Sequence, residues 1–130
     1  MAENITLSSV TILIVEDDPV TQKTVAIIMA RAGYASTFAS NGVEALEKVV
    51  ENPPDLIISD VMMPEMDGFT FLYALRSNPQ TANIPIILLT ARDSGDDIID
   101  GIDMGANDYI PKPFDPNTLL SSVKARLKHA

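Results

Sequence analysis

The sequence predicts an α/β fold in which a doubly wound, five-stranded parallel sheet is covered by five helices. Two observations carry this. Short apolar runs rich in β-branched residues recur five times, each followed by a longer segment with helical spacing. The runs are also nearly continuous in apolar character, the mark of strands buried on both faces.

The first strand is read at residues 11–15, "TILIV", followed by a helix over 19–33. Asp18 before Pro19 is an N-cap followed by proline at the first helical position, and Gly33 stands where a C-terminal cap belongs. A second strand, 34–40, closes on a turn at Asn41-Gly42, and an amphipathic helix then runs to Pro53-Pro54. The third strand is "LIIS", 56–59, with a helix at 68–78. The fourth strand is 84–90 with a helix at 93–106, and the fifth is "DYI", 108–110, with a last helix at 115–129. Right-handed crossovers make a doubly wound sandwich the economical arrangement of five such units.

The chain has 130 residues, enough for one domain with a real core, and it is 46% hydrophobic and 21% charged. Nine basic against eighteen acidic residues give a net charge of −9, which argues against a nucleic-acid surface and against docking on an anionic membrane. The absence of cysteine excludes disulfides and thiolate metal sites and is compatible with a cytoplasmic setting. The N-terminus has neither a basic region nor an apolar run long enough for a signal peptide or a membrane span.

Sites in such folds form at the carboxyl ends of the strands. There the sequence places Glu16, Asp17 and Asp18 after the first strand, Asp60 after the third, Thr90 at the end of the fourth and Lys112 past the fifth. Clustered carboxylates at about 4 Å repel by roughly 4 kcal/mol at an effective dielectric of 20, so they shed protons or recruit a cation. All-oxygen ligands favour a hard ion, Mg²⁺ before Zn²⁺, and Mg²⁺ is typically shared with phosphate. A carboxylate beside Mg²⁺ and lysine can act as a nucleophile toward phosphorus. Asp60, on the strand between the other contributors, is the natural acceptor. The plainer alternatives are a turn-capping Asp60, a structural Asp60–Lys112 ion pair and a solvated acidic loop at Glu16 and Asp17. Asp18 is assigned the helix cap. Met62, Met63 and Met66 read as loop packing, with the Met62 side chain beside the path of a hydrolytic water. His129 reads as a surface residue at a helix end.

The stretches "VEDDP", "DLIISDVMMPEMDG", "LLTA" and "GANDYIPKPF" resemble the receiver domain of two-component response regulators, over residues 10–129. Thr90 lies 30 positions after Asp60 and Lys112 lies 52 after it, as in that family. The resemblance implies a flavodoxin-like strand order of 2-1-3-4-5, with a tail at 1–9 and the domain at 10–130. It implies that Asp60 accepts a phosphoryl group from a histidine kinase or phosphotransfer protein. Mg²⁺ is then expected on Asp17, on Glu16 through water, on Asp60 and on the backbone carbonyl of Met62. Thr90, Ala91, Tyr109 and Lys112 match the phosphate-binding and switch positions, and the Lys112-Pro113 bond is expected to be cis.

Three other functions compete with this one. A flavin carrier would need its phosphate in the acidic loop at 16–18, which repels it. A phosphatase of the haloacid-dehalogenase type carries a second Asp two residues after the nucleophile, where this chain has Met62, so only slow self-dephosphorylation is expected. A degenerate receiver serving as an interaction module is the remaining alternative. Gly95 and Gly101 weaken the helix expected at 93–106, each by about 1 kcal/mol relative to Ala. The face it forms with the fifth strand and last helix is the expected output surface, with a downstream protein or fused output domain as its reader. The chain is expected to be a monomer or a phosphorylation-dependent dimer. It reads as a stand-alone domain or as part of a longer regulator or hybrid kinase.

Overall fold

The computed structural model describes residues 10–63, 65–90 and 105–128. Five strands, β1 (Thr11–Val15), β2 (Ala35–Ala39), β3 (Leu56–Asp60), β4 (Ile86–Thr90) and β5 (Asp108–Pro111), form one sheet in the order β2-β1-β3-β4-β5. All four pairings are parallel. The helices among the described residues are α1 (Pro19–Arg31), α2 (Gly42–Glu51), α3 (Gly68–Ser77) and α4 (Pro116–Lys128). The fifth expected helix, at 93–106, falls almost wholly outside the described residues, as do Ala91 and His129.

The near-continuous apolar strands serve two cores at once. Leu13, Val15, Ile57, Leu88 and Tyr109 face a cluster with Ala45 and Val49 of α2 and Phe71, Leu72 and Leu75 of α3. Their strand neighbours Ile12, Ile14, Ile58, Ile87, Leu89 and Ile110 face the opposite cluster, with Val25, Ile28 and Met29 of α1 and Leu119 and Val123 of α4. This is period-2 alternation with both faces apolar. Each fully buried aliphatic side chain contributes roughly 1.5–3 kcal/mol relative to exposure.

Helix ends follow local chemistry. The Asp18 carboxylate accepts from the Thr21 amide at 3.0 Å and caps α1. At the other end the Gly33 amide donates to Ala30 O and the Tyr34 amide to Met29 O, with Gly33 at φ +90°. That is a Schellman termination, which requires the left-handed conformation glycine adopts without strain. Asn41-Gly42, expected as a turn after the second strand, is instead the start of α2. The Asn41 side chain accepts from the Glu44 amide at 2.9 Å, and a Cβ at Gly42 would meet Met66 at 2.8 Å. An Asn-Gly pair reads locally as a turn, and the helix that follows makes it a cap.

Candidate functional site

The parallel register gathers the acidic side chains. Val15 of β1 pairs with Ser59 of β3, so one residue further along come Glu16 and Asp60 side by side. Glu16 is held by its amide to Ala39 O at 2.9 Å, and the Gln22 side-chain amide donates to the Glu16 carbonyl at 3.1 Å. Carboxylate oxygens of Glu16, Asp17 and Asp60 lie within 4.8 Å of one another. Glu16 and Asp60 are buried and Asp17 is exposed, so the cluster reaches solvent at Asp17.

Lys112 reaches this cluster from just past β5. Its ammonium lies 3.0 Å from Glu16 Oε1 and 3.1 Å from Asp60 Oδ2. Burial disfavours the lysine's charge, yet the hydrogen bond to Glu16 and the two carboxylates outweigh it and hold its pKa above the ordinary value. Glu16 is pushed up to about 7, chiefly by burial and further by the Asp60 charge, against the Asp18 amide and Lys112. One ammonium thus serves two buried carboxylates beside a third. Asp60 Oδ1 is buried and has no hydrogen-bond partner among the described residues. An all-oxygen donor set with excess negative charge and such an oxygen suits a hard divalent cation.

The hydroxyl and aromatic positions flank the cluster. Thr90, 5% exposed, ends β4, and the Lys112 amide donates to its carbonyl at 2.5 Å. Tyr109 is buried in the core, with its ring centroid 6.4 Å from that of Phe69. The Lys112-Pro113 peptide is cis. Met63 and Met66 pack against the core, as loop packing requires. Met62 does not: it lies past the end of β3 at Asp60 and is 69% exposed.

Two positions that sequence reasoning did not single out hold the loop after β3. Gly68 packs on the Asp60 and Val61 backbone, and its amide donates to Val61 O at 2.8 Å. Glu65 sits at φ +68° and accepts from the Asn41 side-chain amide at 3.0 Å. Asp67-Gly68 signals a helix start in the sequence, but nothing local signals the close approach.

Residues 12–124 match the family described as the response regulator receiver domain. The chain belongs to this family. Over 117 residues it is 43% identical to the DNA-binding dual master transcriptional regulator RpaA of Synechocystis, covering 90% of this chain and 48% of that protein. Over 119 residues it is 41% identical to the response regulator MprA of a Mycobacterium species, covering 92% and 51%. This receiver domain therefore spans about half the length of these curated relatives. Among solved structures it is similar to the signal receiver domain of a signal transduction histidine kinase from Syntrophus aciditrophicus. The TM-score is 0.88 at 39% identity, covering 94% of this chain and 92% of that one. The chemotaxis response regulator CheY4 of Vibrio cholerae is also similar, with TM-score 0.84 at 37% identity, covering 90% and 98%. No helix among the described residues is long and apolar enough to cross a membrane.

Proposed function

We propose that this receiver domain is the phosphoacceptor of a two-component system, with residues 10–130 as the working unit and 1–9 as a tail. Asp60 takes a phosphoryl group from a phosphohistidine of a histidine kinase or phosphotransfer protein in the cytoplasm. The observation that carries this reading is the buried Asp60, bridged by Lys112 to Glu16 and flanked by Asp17.

In the reaction an Asp60 carboxylate oxygen forms a bond to phosphorus while the phosphorus–nitrogen bond of the donor imidazole breaks. The electron pair stays on that nitrogen, and the product on the chain is an acyl phosphate. Glu16, Asp17, Asp60 and the Met62 carbonyl would hold Mg²⁺, which supplies positive charge against the carboxylates and the incoming phosphoryl oxygens. Lys112 pairs with a phosphoryl oxygen in place of its present carboxylate partners, and Thr90 with Ala91 supplies hydrogen bonds to another. Tyr109 follows Thr90 as the switch. The chain catalyses only its own phosphorylation and, lacking an acid at Met62, only slow self-dephosphorylation. The altered face comprises the 93–106 segment, β5 and α4, read by a downstream protein or a fused output domain, or by a second copy in a phosphorylation-dependent dimer.

The test is incubation with acetyl phosphate and Mg²⁺ followed by intact mass, beside Asp60→Asn. A single Mg²⁺-dependent adduct that is absent from the variant is expected. Absence of any adduct, together with failure to bind beryllofluoride, would replace this reading with the phosphorylation-independent interaction module.

A further inference from the structure

We infer that Arg76 is a positioning residue: its guanidinium fork, acting through Gly105 and Asn107, fixes the β4–β5 register that brings Tyr109 and Lys112 to the site. The inference rests on the function proposed above and assigns that site a residue at the far end of the strands.

The need arises from β5 itself. It has only four residues, and its two central ones face opposite cores, Tyr109 in one and Ile110 in the other. Register is normally specified by one apolar and one polar face, because a one-residue slip exchanges them. Here both faces are apolar, so hydrophobicity does not choose between registers. A slip would send Tyr109 into the wrong core and carry Lys112 off the cluster.

Polar contacts at the start of the strand make the choice. The Asn107 amide donates to Ile86 O at 2.9 Å, and the Ile86 amide returns to Asn107 Oδ1 at 2.9 Å. Arg76, on α3, donates to the same Oδ1 at 3.0 Å, to Gly105 O at 3.0 Å and to Ile84 O at 2.8 Å. One rigid fork thereby ties together the segments leading into β4 and β5. Gly105, at φ +103°, leaves room for it, since a Cβ there would lie 3.1 Å from Arg76 Nε. On the opposite face Ser122 of α4 donates to Asp108 Oδ2 at 2.5 Å. Burial lowers the Arg76 pKa, and no carboxylate pairs with it among the described residues. A half-buried guanidinium bonded, among the described residues, to neutral oxygens is a costly way to add stability, whereas its planar fork suits geometric positioning.

The test compares Arg76→Ala and Arg76→Lys with the wild type by calorimetric titration of Mg²⁺ and of beryllofluoride, and by amide exchange. Mg²⁺ affinity, whose carboxylate ligands lie at the ends of β1 and β3, should not fall and rises where Lys112 leaves them, while beryllofluoride affinity falls about tenfold in both variants. Exchange should quicken at Ile86, at 107–110 and at Lys112, and stay unchanged in β1 and β3. Unchanged beryllofluoride affinity, a parallel loss of both affinities, or full rescue by lysine would overturn the inference. If Arg76→Ala does not fold, Arg76→Lys carries every measurement. A wild type that fails to bind beryllofluoride overturns the proposed function instead, and the exchange comparison still decides the role of Arg76.

Discussion

Gly68 lies against the backbone of Asp60: a Cβ on residue 68 would stand 2.5 Å from the Asp60 carbonyl oxygen and 2.9 Å from the Val61 Cα. The first turn of α3 is therefore set directly on the end of the strand that presents the carboxylate. A backbone atom, unlike the tip of a flexible side chain, cannot move aside locally. Gly68→Ala should consequently cost about 1–3 kcal/mol, against any gain in helix propensity. Thermal melting reads the loss, and a slower rate of adduct formation from acetyl phosphate should accompany it. A variant as stable and as reactive as the wild type would show that the loop tolerates separation from β3.

Lys112 is the only cation paired with Glu16 and Asp60 among the described residues. Lys112→Met keeps the stem but leaves two buried carboxylates facing each other. It should destabilise the domain by about 2–4 kcal/mol without Mg²⁺, the scale of breaking a buried ion pair. Denaturant unfolding checks this, and part of the loss should return when Mg²⁺ is added. Adduct formation should fall with or without that recovery.

Asp60→Asn should act in the opposite direction. Glu16 keeps its 3.0 Å pairing with Lys112, while the second buried negative charge is gone. In the absence of Mg²⁺ near neutral pH we expect a gain of about 1 kcal/mol, or a few degrees in melting temperature. A lower melting temperature would count against repulsion within the acidic cluster.

Mg²⁺ itself should raise the melting temperature of the wild type, and a chelator should reverse the change. At a hundredfold excess over its dissociation constant the gain is about 2.7 kcal/mol for one site. Asp17→Asn removes one of the three clustered carboxylates and should shrink the shift. An equal shift in wild type, Asp17→Asn and Asp60→Asn would place the ion elsewhere.

Element identity was legible because it depends on local pattern. The apolar runs at 11–15, 56–59 and 84–90 mark strands whatever surrounds them, and β3 and β4 emerge within two residues of those limits. Asp18-Pro19 announces a helix start and serves as one. Asn41-Gly42 misled because the same dipeptide suits a turn and a cap, and only the helix packed behind Met66 distinguishes them. The exposure of Met62 was illegible for a related reason: nothing in the chain around it tells whether another element covers it.

The sequence by itself determined the βα alternation, the doubly buried character of β1, β3 and β4 and the residue types at the strands' carboxyl ends, whereas the edge strand β2 is mostly exposed. Those features follow from periodicity and from the chemistry of single residues. Only the tertiary structure decided that Lys112, 96 positions from Glu16, bridges it to Asp60. It likewise decided that burial pushes Glu16 up to about 7, that Gly68 touches the Asp60 backbone and that Arg76 pins the start of β5. The physical reason is common to all four. Desolvation, close approach and register are properties of residues brought together from distant parts of the chain, and local pattern carries no measure of the space between them.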